Sequence, residues 1–355
     1  MNVALNAHFF HHPGTGSGQY LQHLIRVFRL GAAPVDAIPL FNPAASSLRK
    51  VWWEQVAFPR LAQSSGADVW HVPYFAPPLI HTRPLVTTIH DLIQLIIPEY
   101  ATTPLVRLYN RLVGLGARRA NLILADSESS KRDIVRLLGI PDQRIRVVYL
   151  APDESVRRPV SREEIAAVQR KYGLAERYVF YFGGLLKHKN VVALLEALAS
   201  LRHLDWQLAV SGRLRSDNSP FFPDLPRLAA EFGIQARVRF LGFAPDEDKS
   251  ALLRGATCFA FPSLYEGFGM DPLEALACGT PVVCSNRSSL PELMGDAALL
   301  VDPEDDGALA DALRRVLTDP ELRSDLAERG PTQAARFSWD KCARETYQAY
   351  AACAS

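Results

Sequence analysis

Val179–Leu201 reads VFYFGGLLKHKNVVALLEALASL. Four apolar residues, two glycines, a short basic turn and then an apolar helical period make one strand-turn-helix unit. A strand with no polar residue is buried on both faces, which is the condition of a parallel sheet covered by helices. The same alternation continues in both directions. Val3–Leu5, Val69–His71, Leu85–Ile89, Leu122–Ala125 and Val147–Tyr149 read as strands before it, and Gln207–Val210, Val238–Phe240, Cys258–Phe261, Pro281–Cys284 and Ala298–Leu300 after it. Helical periods separate most of them, including Gln19–Leu30, Pro104–Ala120, Ser129–Leu138, Pro272–Ala277 and Ser338–Ala352. About eleven strands exceed one compact doubly wound sheet, so an α/β chain of two Rossmann-like parallel-sheet domains is expected. The boundary falls where VVYLAP gives way to PDESVRRPVSREE. The domains are therefore set at 1–155 and 156–336, with a closing helix at 337–355. In such sheets ligands lie beyond the carboxyl ends of the strands, and with two sheets the natural site is a cleft between them.

The 355 residues are 48% hydrophobic and 22% charged, values of an ordered globular chain. The net charge of +1 excludes a dedicated electrostatic grip on nucleic acid. No window approaches the ~18 apolar residues of a membrane span. The five cysteines form no CxxC pair, so neither a disulfide framework nor a zinc site is expected, and a cytoplasmic setting fits. The start, MNVALNAHFF, is strand-like rather than a leader.

Four loops after strands carry candidate chemistry. His12–Tyr20, HPGTGSGQY, brings Gly16, Gly18 and Tyr20 to the start of a helix, where backbone approaches an anion or hydroxyl closely; a tight turn would look the same. His90 and Asp91 follow PLVTTI, and a histidine there can orient a reacting group or merely bond a carbonyl. In Gly183–Asn190, Lys187, His188 and Lys189 gather positive charge at a helix start, with Asn190 as the expected N-cap. Basic residues there oppose the helix dipole unless an anion such as a diphosphate offsets them. Pro262–Val283, PSLYEGFGMDPLEALACGTPVV, is the most specific. Asp271, Pro272 and Glu274 fit N-cap, N1 and N3 of a capping box, whereas Glu266 has no structural role of that kind.

This last segment resembles the signature of the retaining GT-B glycosyltransferases with a Glu-x7-Glu motif, glycosyltransferase family 4. WEQ (Trp53–Gln55), DVWHVPY (Asp68–Tyr74), TIHD (Thr88–Asp91), DSESSKRDI (Asp126–Ile134), FLGF (Phe240–Phe243), SSLPEL (Ser288–Leu293) and FSW (Phe337–Trp339) extend the resemblance along nearly the whole chain. WEQ and HD are most similar to the mannosyltransferase branch. The resemblance implies transfer of a hexosyl unit, mannose favoured, from a nucleoside-diphosphate sugar to a glycan or lipid-linked acceptor, with the anomeric configuration retained. GDP-mannose is the favoured donor and a UDP-sugar the alternative.

By the same resemblance, Glu266 would hold the donor sugar, Glu274 the ribose and Lys189 the diphosphate. Gly16, Gly183, Gly184, Lys187, Arg213, Gly267, Phe268 and Gly269 complete the donor side, with Phe243 beside the base. His90 would sit by the reacting sugar, and Gly18, Tyr20 and Asp91 on the acceptor side. The first domain would bind the acceptor and the second the nucleotide-sugar donor, and the last helix would return to the first domain. No cofactor and no metal are implied. One departure is Gly184, where relatives often have Arg. Lys187, His188 or Arg213 could substitute; otherwise a non-catalytic nucleotide-sugar-binding subunit of a glycosyltransferase complex is the alternative. An epimerase or phosphorylase on the same fold is disfavoured by the intact EGFG loop.

Two features leave the acceptor open. In Pro104–Ala120, Arg107, Arg111 and Arg118 share a face beside Leu105, Leu108, Leu112 and Leu115. The commoner reading is a solvated face above a core stripe; the other is peripheral contact with the inner face of a membrane. Trp52, Trp53 and Phe58 are expected in the core or at a contact between copies rather than as an acceptor platform.

Overall fold

The computed structural model describes residues 1–12, 14–42, 46–101, 103–215 and 221–354; Pro13 of the glycine loop lies outside them. The chain forms two compact units, Met1–Leu150 with Phe337–Ser355, and Ala151–Arg336.

Unit 1 runs β1 (Asn2–Asn6), α1 (Gly16–Arg29), β2 (Asp36–Leu40), α2 (Ser47–Trp52), a π turn (Trp53–Ala57), α3 (Phe58–Ser64), β3 (Val69–Val72), β4 (Leu85–Ile89), α4 (Ile93–Ile96), α5 (Pro104–Arg119), β5 (Leu122–Ala125), α6 (Glu128–Leu138) and β6 (Ile145–Val147). All neighbouring strands pair in parallel, in the order β2-β1-β3-β4-β5-β6. The order reverses between β1 and β3, so the loops that follow those two strands flank the switch point where ligands enter such sheets. Under them lies a core built on Trp53, Phe58 and Trp70, all buried, as expected for Trp53 and Phe58. Trp52 is 56% exposed instead.

Unit 2 runs α7 (Arg162–Tyr172), β7 (Tyr178–Phe182), α8 (Val191–Ser200), β8 (Gln207–Ser211), α9 (Leu225–Glu231), β9 (Val238–Gly242), α10 (Asp246–Gly255), β10 (Cys258–Phe261), α11 (Met270–Ala277), β11 (Val282–Ser285), α12 (Leu290–Met294), β12 (Leu299–Val301), α13 (Asp306–Thr318) and α14 (Pro320–Ala334). Its sheet, also parallel, has the order β12-β11-β10-β7-β8-β9. Here the reversal falls between β7 and β10, the strands that carry the GGLLKHKN and PSLYEGFG loops. α15 (Trp339–Ala354) then packs in unit 1 against α1, where Trp339 stacks on His23 at 4.4 Å.

α5 corrects the core-stripe reading. Its inward face is small: Gly114, Gly116 and Ala117 are buried, and a Cβ on Gly116 would lie 2.4 Å from the Pro77 carbonyl oxygen. This close approach leaves Leu105, Leu108 and Leu115 outside, 64%, 62% and 50% exposed, beside the exposed Arg107 and Arg111. All five cysteines are free and four are buried. No described helix is long and apolar enough to cross a membrane.

Candidate active site

In unit 2 the loop after β10 is held from both sides. Leu264 N and Ser263 Oγ donate to the His188 carbonyl, at 2.8 and 3.2 Å. Glu266 N donates to Ser288 Oγ at 2.8 Å, and Ser289 Oγ donates to the Glu266 and Phe268 carbonyls. SSLPEL therefore acts as a clamp on EGFG. The fixed loop turns the Glu266 carboxylate to Lys189, with Nζ to Oε1 at 2.7 Å and both side chains near one-eighth exposed, at 14% and 12%. The Lys189 ammonium also lies over the Phe261 ring, 5.1 Å from its centroid. Both residues are expected on the donor side, and the fold brings them together after β7 and β10.

The caps differ from expectation. Asn190 is left-handed (φ 56°) and caps nothing; its Nδ2 donates to the Pro303 carbonyl at 2.9 Å. α11 starts at Met270 after a left-handed Gly269 (φ 119°), so Asp271 is inside the helix rather than its cap. The capping-box reading of Glu274 fails with it. Glu274 is 1% exposed, forms an ion pair with Lys249 and accepts from Asp153 N at 3.3 Å. Lys249, itself 7% exposed and 4.4 Å above the Phe182 ring, went unnoticed because nothing in DEDKSALL distinguishes it from a surface lysine. Burial pushes the Asp271 carboxyl up to about 6, against the pull of Lys189 and Lys249. Its Oδ2 would be 2.9 Å from a Cβ on Gly183, whose φ of 141° already favours glycine.

His188 is a second correction. It is buried, and desolvation followed by the neighbouring Lys189 drives its imidazole down to about 4. A neutral ring adds no charge, so the basic turn carries two cations rather than three. Lys187 and Arg213 are exposed, as is Phe243 (74%) at the end of β9, while Phe268 is 6% exposed. Gly184 is exposed, and its carbonyl accepts from Tyr181 Oη at 2.6 Å.

In unit 1, His90 directly follows β4. Nδ1 is 2.7 Å from Asp126 Oδ2 and Nε2 is 3.2 Å from the Pro73 carbonyl oxygen. An imidazolium, with a proton on each nitrogen, can donate to both of these oxygens at once. Burial opposes that charge, but Asp126 outweighs it by charge and hydrogen bond, assisted by Asp91, and the pKa is raised. Asp91 Oδ1 accepts from Ile93 N at 3.0 Å.

Tyr20 is 1% exposed and packs edge-on beneath His90, ring centres 5.1 Å apart, so it supports the imidazole and does not face a ligand. A buried chain runs on from it: Thr88 Oγ1 donates to Tyr20 Oη at 3.3 Å and lies 2.8 Å from His71 Nε2, and Tyr350 Oη lies 2.7 Å from His71 Nδ1. Gly18 is structural too, since a Cβ there would overlap the His12 carbonyl oxygen at 2.2 Å. Gly16, expected on the donor side, opens α1 in unit 1 with open space around its Cβ position. The cap of that helix, Thr15, accepts from Gly18 N at 3.1 Å.

The family model described as Glycosyl transferases group 1 matches residues 162–333, and that described as Glycosyltransferase Family 4 matches residues 12–155. O-antigen chain mannosyltransferase B of Escherichia coli is 37% identical over 286 residues, which cover 79% of this chain and 74% of the relative. The chain belongs to the group 1 glycosyltransferases. Within this family it lies in the mannosyltransferase-like branch. The serotype-specific mannosyltransferase WbdA of Escherichia coli is 30% identical over 262 residues, 72% of this glycosyltransferase but 32% of WbdA. Among solved structures, Anabaena Alr3699/HepE in complex with UDP and glucose has a TM-score of 0.79 at 21% identity, covering 99% of this chain and all of that one. A sucrose-phosphate synthase from Thermosynechococcus elongatus also has a TM-score of 0.79, at 20% identity, covering 99% and 98%. The fold of this glycosyltransferase is GT-B.

Proposed function

We propose that this glycosyltransferase moves a mannosyl unit from GDP-mannose to a hydroxyl of a glycan or lipid-linked acceptor, with retention and without a divalent metal. The Lys189–Glu266 ion pair at the switch point of unit 2 carries the reading. When a donor binds, its diphosphate competes for Lys189 and releases the Glu266 carboxylate, which can accept from two sugar hydroxyls. The barrier is departure of the diphosphate. Lys189, with Lys187 and Arg213 as further cations, stabilises the developing charge, usually the largest catalytic contribution. Phe243 offers its exposed ring to the base. Glu274 meets the ribose only by sharing its carboxylate with Lys249. The acceptor oxygen forms its bond to C1 on the face the phosphate leaves, and the leaving phosphate oxygen takes the acceptor's proton. His90, held as a cation by Asp126, would steady a hydroxyl of the reacting sugar.

The mannosyltransferase relatives support the sugar. A cytoplasmic setting at the inner face of the membrane is supported by the exposed leucines and arginines of α5, an amphipathic surface suited to anionic lipid. Flotation with anionic vesicles tests that part, and failure to float removes it. The reaction is tested by incubating the chain with GDP-mannose and a mannoside in EDTA. An α-linked product is expected; a β-linked product, or transfer from UDP-sugars alone, overturns the corresponding part. Gly184 in place of Arg favours the second reading, a non-catalytic donor-binding subunit. GDP-mannose binding with neither transfer nor hydrolysis would select it.

A further inference from the structure

In unit 2, five charged side chains act on one another beside the turn that follows β7. Two are cations, and each is already engaged: Lys189 with Glu266 at 2.7 Å, and Lys249 with Glu274. The fifth is Asp271, in the first turn of α11, whose side chain makes no hydrogen bond or ion pair with another described residue. It stands against the Gly183–Gly184 turn, with Oδ2 2.9 Å from where a Cβ on Gly183 would lie. Two glycines bring no charge of their own. Lys187 and Arg213 are exposed, where water and salt screen them. The inner cluster therefore holds two positive and three negative charges before any ligand enters.

A nucleoside-diphosphate sugar adds two more negative charges. Its diphosphate can draw Lys189 from Glu266, but that exchanges one anionic partner for another and leaves every carboxylate in place. We infer that Asp271 is the proton-binding group of the donor site: the donor binds when Asp271 is a neutral carboxylic acid, so each donor that enters takes up one proton there. The inference rests on the donor reading proposed above and adds proton linkage to it. The proton leaves a buffer acid in solvent, forms an O–H bond on the Asp271 carboxylate, and returns to the buffer when the nucleoside diphosphate departs. As an acid, Asp271 offers an O–H donor where the carboxylate only accepts.

The neighbours place that proton within reach of neutral pH. Burial raises the Asp271 carboxyl to about 6; Lys189 and then Lys249 pull it down, while Glu274 and Glu266 push it up. A diphosphate on Lys189 neutralises the larger of the two downward pulls and brings negative charge, and both changes raise the pKa further. Tyr181 of β7 also feels Asp271, but burial drives its hydroxyl far upward, and it stays protonated, donating to the Gly184 carbonyl. His188 on the next turn starts from about 4 and is neutral throughout. In the free chain the N-terminus of α11 favours the Asp271 carboxylate. Donor affinity is therefore greatest below about pH 6, where Asp271 already carries its proton, and falls roughly tenfold per pH unit above it.

The test is isothermal titration calorimetry of GDP-mannose into the full chain at pH 7.5, in HEPES and in Tris, whose different ionisation heats reveal the protons exchanged. The diphosphate of a sugar nucleotide does not titrate near neutral pH, so the count belongs to the protein. Wild type should take up about one proton per donor, with Kd rising roughly tenfold from pH 6.5 to 7.5. Asp271→Asn should take up none, keep one Kd at both pH values, and bind roughly tenfold more tightly than wild type at pH 7.5. Melting curves show that the variant is folded; if it is not, Asp271→Thr takes its place. Binding to wild type without proton uptake, or uptake that persists in the variant, overturns the inference and leaves the donor reading standing. If GDP-mannose does not bind, UDP-glucose is titrated instead: the choice of donor falls, and the same proton count decides the inference. Binding of neither overturns both.

Discussion

Replacing Lys189 by methionine keeps most of the side chain and removes its charge. Glu266 then faces a site one-eighth exposed without its 2.7 Å partner. Removal of one member of a buried pair costs about 3–5 kcal/mol, and of an exposed pair under ~1 kcal/mol. At 12% exposed, Glu266 stands between those limits. We therefore expect a loss of about 2–3 kcal/mol at pH 7, or a fall of roughly 5–10 °C in the melting temperature of a unit of this size. Lys189→Met with Glu266→Gln should recover most of the stability at pH 7 but none of the activity. Turnover of Lys189→Met should fall about 10²–10³-fold, the usual effect of losing one preorganised group at a developing charge. Differential scanning fluorimetry at pH 7, with transfer from GDP-mannose, measures all of this. Turnover within threefold of wild type in a folded Lys189→Met protein would refute the reasoning.

The His90–Asp126 pair has the opposite sign of pH dependence from the buried neutral histidines. Its raised pKa gives stabilisation that is complete below about pH 6.5 and lost as pH rises through the folded value, so activity should fall on the alkaline side. Asp126→Asn should move that limb to lower pH, and an unmoved limb would show that His90 does not titrate in the reaction. His71, His8 and His188 are lowered by burial to about 3, 4 and 4, so an unfolded chain takes up protons first and stability should fall from pH 6.5 toward 4. A flat melting temperature over that range contradicts their placement. Gly183→Ala should lower both stability, by about 1–3 kcal/mol, and transfer, because the new methyl meets Asp271 at a left-handed position; unchanged melting and kinetics would show that the loop is freer than its geometry indicates.

Strands without polar residues, such as β7, β10 and β5, were legible because burial on both faces leaves no other composition. β2 was not, since DAIPL carries a proline and lies at the sheet edge, mostly part-exposed. α7 and α14 were hidden by charge and by Pro331, which resemble linker composition. At the site, Glu266, Lys189 and His90 could be found because each follows an apolar strand. Lys249, Asp126 and Glu54 acquire their meaning from partners distant in the chain, Glu274, His90 and Tyr109, and no local pattern carries that. The expected caps at Asn190 and Asp271 failed for a related reason: the loops, anchored by tertiary hydrogen bonds, start those helices without side-chain help.

The π turn holds one more residue per turn than the helices on either side of it. Deleting a single position between Gln55 and Ala57 would let the segment close into continuous α-helix while the turns on either side keep their register, because the wide turn exists to hold that extra residue. The side chains re-aimed would be those of the turn itself, Glu54 beside Lys50 among them. Length, as much as composition, thus sets where the Glu54 carboxylate lies in unit 1.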